Sequence, residues 1–191
     1  MKHLKNFKKS FKKNLTVTSC LLLTLFITII ALNVGCIPKI KVNLYFGKYE
    51  DNQAYLVAEE REIPNDANFY KNVVQEIIKG PVSEQLYPTI PSDTKVNSVK
   101  LENGLVVVDF SKEIITNTEE IPHSSTTEIL AIFSIVDTLT EFKEIEKVRI
   151  TIEGKQEGQI DGLYIEDFWG HVGIYEDFSR NEQVLKKGSV E

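Results

Sequence analysis

Cysteine is nearly absent: two residues in 191, Cys20 and Cys36, both lying within or closing one apolar run. That excludes a disulfide framework and a cysteine-rich zinc site. Histidine is almost as scarce. Beyond the apolar run only His123, just before a helix start, and His171, flanked by glycines, remain, and neither has a partner recognisable in sequence. No nucleophile elbow, phosphate-binding loop, dinucleotide glycine fingerprint or metalloprotease helix occurs, so nucleophilic catalysis and nucleotide chemistry have no motif to rest on. Repeats and low-complexity tracts are missing as well.

Acidic residues are missing from the N-terminus. Lys2, Lys5, Lys8, Lys9, Lys12 and Lys13 precede the uncharged stretch "CLLLTLFITIIALNV", and Gly35 then stands directly before Cys36. A basic region, an apolar core and a small residue make a secretory signal. A small residue before cysteine at its end resembles the bacterial lipobox, which makes Cys36 the expected lipidation site and mature N-terminus. Asn33 occupies the place where lipoboxes usually carry an aliphatic residue. Cys20 has good local flanks but precedes the apolar core that a signal peptidase needs upstream of its cut. The alternative is an uncleaved membrane helix, since residues 15–37 carry no charge and are long enough to span about 30 Å of hydrocarbon. Both readings put the domain on the extracytoplasmic face of the cell membrane. With six of the 22 basic residues in the signal and all 28 acidic ones after it, the mature chain has a formal charge of −12. Such a field repels nucleic acid, so no nucleic-acid partner is expected.

Residues 1–35 are therefore expected to be signal, 36–40 a tether, 41–180 a single domain and 181–191 a flexible tail. Within the domain, "KVNLYFGK" alternates like a strand with one buried face, and "QAYLVAEEREIP" is its hairpin partner. Asn65 or Asp66 is placed to cap a helix carrying Tyr70, Val73, Val74, Ile77 and Ile78 on one face, stopped by Gly80 and Pro81. The proline-rich loop that follows is anchored by Leu86, Tyr87 and Ile90. A second hairpin turns on Asn103-Gly104. Ser125 and Glu128 stand at capping-box spacing ahead of an amphipathic helix striped with Ile129, Ile132, Phe133, Val136 and Leu139. "EKVRITIEGK" alternates as a strand with one dry face, and a short strand near "HVGIY" is expected at an edge. The order β-β-α-β-β-α-β predicts an α+β two-layer sandwich.

Asp161, Glu166, Asp167 and His171 fall within eleven residues, but their spacing matches no ligand pattern, and no metal or cofactor is expected. Glu59 and Glu60 are neighbours in a strand and point to opposite faces, so they cannot share a cleft as a glycosidase pair does. Tyr164, Phe168, Trp169, Tyr175 and Phe178 crowd the C-terminal quarter. Trp169, Phe168 and Tyr164 are the candidates for contact with a partner or a sugar; the competing reading is that these rings fill the open end of a small core.

Several stretches together, "VNLYF", the helix end "IIKGP", "PSDTKVNSVKLENGLVVVDFSKE", "IVDTLTEFKEIEKVRITIEGK" and "GHVGIYEDFSR", resemble the GerM domain, the sporulation and spore germination domain found on lipoproteins of spore-forming bacteria and their relatives. They occur in family order over roughly residues 42–180. The resemblance implies a fold similar to the ring-building motif domains of secretion machines and no enzymatic activity. It also implies an assembly role at the envelope during sporulation or germination, with envelope or sporulation proteins as partners. A module that recognises peptidoglycan is the alternative. In three respects the chain departs from the pattern: Gly173 stands where Asp is usual, "QEGQIDGLYIEDFW" is longer than the usual connection, and there is one domain copy where some relatives have two.

Overall fold

The computed structural model describes residues 37–186, and a compact unit begins at Pro38. The signal segment and Cys36 lie outside the described residues. Strand β1 (Lys39–Glu50) pairs antiparallel with β2 (Gln53–Pro64) through a two-residue turn in which Asp51 and Asn52 both take positive φ. That conformation matches the twist of the strands it joins. Lys39 and Ile40, expected from the sequence to lie in a tether, pair with Pro64 and Ile63 as the start of β1.

Helix α1 (Phe69–Ile78) buries Val73, Val74, Ile77 and Ile78, the face read from their spacing. Each such side chain contributes about 1.5–3 kcal/mol by leaving water. Its first residue follows Asn68, which makes no side-chain cap. Of the two residues read as caps, Asp66 accepts from Asn68 N and Asn72 Nδ2 ahead of the helix, and Asn65 donates its backbone N–H to the Pro38 carbonyl.

Strands β3 (Val96–Glu102) and β4 (Leu105–Phe110) form the second hairpin around Asn103 (φ 50) and Gly104 (φ 82). A short helix α2 (Glu113–Thr116), not foreseen in the sequence, leads to α3 (Ser125–Leu139), which crosses over to β5 (Lys147–Ile152) lying parallel to β4. The three-stranded sheet has the order β3-β4-β5. Its dry face sets Val106, Val108 and Phe110 beside Val148, Ile150 and Ile152, all fully buried. A two-stranded ribbon, β6 (Gln159–Ile160) and β7 (Leu163–Tyr164), completes the mixed α+β architecture.

Helix α3 is buried nearly all round and is not the one-sided helix that its stripe predicted. Ile132, Ile135, Val136 and Leu139 enter the main core, while Leu130 joins Tyr45 and Leu56 in a second cluster. Its capping box lies one residue earlier than expected, with Ser124 Oγ accepting from Thr127 N and Thr127 Oγ1 accepting from Ser124 N. "HVGIY" forms no strand. The edge of β5 is closed three residues later, where Phe178 bridges Val148. The segment expected to fray at 181–191 lies along β2 as far as Lys186, because Val184 and Leu185 cover the second cluster.

Candidate functional site

The C-terminal loop is held from beneath by Glu128. This side chain is fully buried, and its carboxylate accepts from the backbone N–H groups of His171 (2.9 Å), Val172 (3.1 Å) and Gly173 (2.8 Å). Gly173 has φ +77, and a Cβ there would stand 2.6 Å from the Glu166 carbonyl oxygen, which is why no larger residue fits this turn. The four residues that sequence placed close together are spent separately. Asp161 pairs with Lys112 at 2.6 Å, Glu166 accepts from Gly158 N at 2.8 Å, Asp167 accepts from the Tyr175 hydroxyl, and the His171 side chain is exposed. Among the described residues no group of three or more His, Cys, Asp or Glu gathers as metal ligands.

The aromatic candidates divide. Trp169 and Phe168 are 6 % and 4 % exposed, so neither presents a face to a partner or a sugar. Trp169 Nε1 donates to the Ile114 carbonyl at 2.8 Å, with the His123 ring stacked 4.5 Å away on one side and the Phe168 ring close by. The rings close the open end of the core, since the short sheet leaves apolar area that only this loop can cover. Tyr164 remains exposed on β7, beside a shallow cavity of about 220 Å³.

A latch joins the chain end to α3 and β1. Arg180 donates to the Asp137 carbonyl (3.0 Å) and the Tyr45 hydroxyl (3.0 Å), pairs with Glu141 (2.9 Å), and lies over the Tyr45 ring. Asp137 Oδ1 accepts from Asn181 N at 2.8 Å, while Oδ2 is buried without a partner. Burial pushes the Asp137 carboxyl up from 3.8 to about 6. Between those values the folded state holds the proton that the unfolded state has released, so stability falls as pH rises through this window and is level above it. Asp137→Asn is expected to abolish that fall and to raise stability at neutral pH by about 1–2 kcal/mol. Urea midpoints on either side of the window test it, and an unchanged pH slope would count against a buried ionisable Asp137.

A second hub lies at the other end of the hairpin. Arg61 pairs with Glu59 (2.7 Å) and Glu76 (3.0 Å), donates to the Gly80 carbonyl (2.7 Å) and covers the Phe46 ring. Glu59 also accepts from Val82 N and Ser83 N, while Glu60 pairs on the surface with Lys41. The neighbouring carboxylates diverge, as strand alternation requires.

The sheet edges differ. Gly47 of β1 exchanges two backbone bonds with Tyr87, Leu56 of β2 accepts from Lys186 N and donates to Val184 O, and β5 is bridged by Phe178 and Lys155. Among the described residues, β3 has no backbone partner on its outer edge.

The family model described as sporulation and spore germination, Germane, matches residues 43–158. The chain belongs to the Germane family. It is 31% identical over 124 residues to the spore germination protein GerM of Bacillus subtilis (strain 168), an alignment covering 61% of this chain and 32% of that protein. The chain therefore spans about a third of that relative's length. Among solved structures, the tandem GerMN domains of the sporulation protein GerM from Bacillus subtilis superpose with a TM-score of 0.58 at 24% identity, over 80% of this chain and 49% of that one, which is a likeness of fold. The first GerMN domain of the same protein gives 0.54 at 25% identity, over 74% of this chain and 98% of that one. One Germane domain thus accounts for nearly all of that single-domain structure.

Within this Germane domain, the polar residues that organise the C-terminal third went unrecognised in sequence. Glu128 has capping-box spacing from Ser125, but it also stands four residues before Ile132 on the buried stripe of α3, and a lone carboxylate there signals a buried acceptor. Asp137 lies inside the apolar run "IVDTL" and carries the same signal. Arg180 has no local mark, because its partners Tyr45 and Glu141 are remote in sequence.

Proposed function

We propose that this Germane-family chain is a non-enzymatic lipoprotein, tethered to the extracytoplasmic face of the cell membrane through Cys36, whose domain acts by binding proteins in envelope assembly during sporulation or spore germination. The observation that carries this reading is the use of the polar groups in the C-terminal loop. Glu128, Asp161, Glu166 and Asp167 are each engaged by backbone amides, a hydroxyl or a lysine that shape the loop. A carboxylate used in this way holds a surface in shape and is not poised for proton transfer. The kinship to a spore germination protein supports the cellular setting. Peptidoglycan recognition, the alternative, keeps only Tyr164 of its three aromatic candidates.

The test is genetic. A deletion strain is expected to lose heat-resistant spores or germination and to recover them with the intact gene but not with Cys36→Ala. Normal sporulation and germination in the deletion strain would overturn the proposal, and full rescue by Cys36→Ala would remove the lipid anchor from it.

A further inference from the structure

We propose that the outer edge of β3 is the docking strand of this domain and that it takes an extended acidic peptide segment, which adds as a fourth strand with its carboxylates over Lys71 and Lys100. This rests on the reading that the domain works by protein binding, and it names the surface and the chemistry of the partner.

The direction of the backbone groups follows from hairpin parity. In an antiparallel pair joined by a two-residue turn, the residues flanking the turn bond each other, and alternate pairs beyond them turn outward. The first hairpin shows the rule. Glu50 and Gln53 flank its turn, and Gly47 and Leu56, three positions on, turn outward and bond Tyr87 and the chain end. Applied to Glu102 and Leu105, the same parity turns the N–H and C=O groups of Leu101 and Val99 outward from β3. Those groups face no backbone partner among the described residues, whereas the outward groups of Gly47 and Leu56 are satisfied.

The surroundings select the occupant. A cavity of about 240 Å³ runs beside this edge to the start of α1, and its lining includes Asn68, Tyr70, Lys71, Asn97, Val99 and Lys100. Two cations and no carboxylate line it, on a chain with a formal charge of −6. An acidic strand meets both lysines favourably. A second copy of β3 brings one lysine with its one glutamate and so offers the two lysines less negative charge than an acidic segment does. Half-buried Lys71 donates from Nζ to the Asn97 carbonyl at 3.2 Å, a bond that an incoming backbone amide can replace. The register shift between Val96 and Ser98 ends regular pairing there, which limits the docked segment to the stretch from Asn97 to Glu102.

The experiment uses the full chain in detergent micelles and a fluorescein-labelled peptide of about ten residues alternating Glu-Glu and Thr-Thr pairs, which sets carboxylates on both faces of the added strand, with Lys-for-Glu and alternate-Pro versions as controls. The Glu peptide is expected to bind and to slow amide exchange at Val99 and Leu101, while the Pro version does not bind. Lys71→Glu combined with Lys100→Glu changes one half-buried and one exposed side chain, and with circular dichroism establishing that it folds it should weaken the Glu peptide at least about tenfold while admitting the Lys peptide. Val99→Pro removes an outward N–H and should abolish binding, with circular dichroism establishing that it folds. Equal binding by all variants, or none by the unmodified chain, would overturn the inference. So would a concentration-dependent dimer lost in Val99→Pro, which would make the occupant a second copy. If the doubly reversed variant still restores spores although peptide binding is lost, the edge inference fails and the proposed function stands. If deletion leaves spores normal while the peptide binds, the reverse holds.

Discussion

Glu128→Ala is expected to lower the unfolding free energy by about 3–5 kcal/mol, a large share of the 5–15 that a domain of this size commands. The substitution leaves the amides of His171, Val172 and Gly173 facing a cavity with no acceptor. Each buried amide stripped of its partner costs about 1–3 kcal/mol, reduced where water enters. The loss is local before it is global. Hydrogen exchange at residues 171–173 should accelerate first, with the loop lifting off α3, and the cooperative midpoint should then shift. Glu128→Gln keeps one oxygen for Val172 and Gly173 but brings an NH₂ against the His171 amide, so it should fall between alanine and the native chain. A urea midpoint for Glu128→Ala equal to that of the native chain would show that the three bonds hold nothing in place.

Trp169→Ala is expected to cost a similar amount, about 3–5 kcal/mol, because it empties a buried ring site and orphans the Ile114 carbonyl. Tyr164→Ala, at an exposed position on the ribbon, should stay within about 0.5 kcal/mol. The pair separates the two readings of the aromatic quarter. If Trp169→Ala melts like the native chain but loses binding to insoluble cell wall, the ring is a contact and not a core residue. If it lowers the melting temperature by several degrees, any loss of binding follows from unfolding of the loop.

The two hairpins, α1, α3 and β5 were all legible in order, for reasons that are local. The alternation in β5 and the i, i+3, i+4 spacing of α1 belong to the elements themselves, and Asn103-Gly104 is a turn in any context that supplies two strands. Sequence and structure differ where a residue's role depends on something distant. Ser124 and not Ser125 caps α3, because Thr127 rather than Glu128 closes the box, and Glu128 is taken by a loop more than forty residues later. The amphipathic reading of α3 missed that the hairpin and the chain end cover its second side. Of the two readings that the sequence leaves open for Trp169 and Phe168, contact or core, only the fold selects the core, because the end they close is assembled with α2 and α3.

By itself the sequence determined the acidic charge, the scarcity of cysteine, the secondary-structure order and the family. Each of these depends on composition, on short periodicities or on motifs read along the chain. Only the tertiary structure decided that β4 and β5 run parallel, that the edges of β1, β2 and β5 are bridged while that of β3 has no backbone partner among the described residues, and which carboxylates are buried. Those outcomes depend on pairings between segments tens of residues apart. Such pairings are selected by how apolar faces cover one another and by whether each buried N–H finds an acceptor.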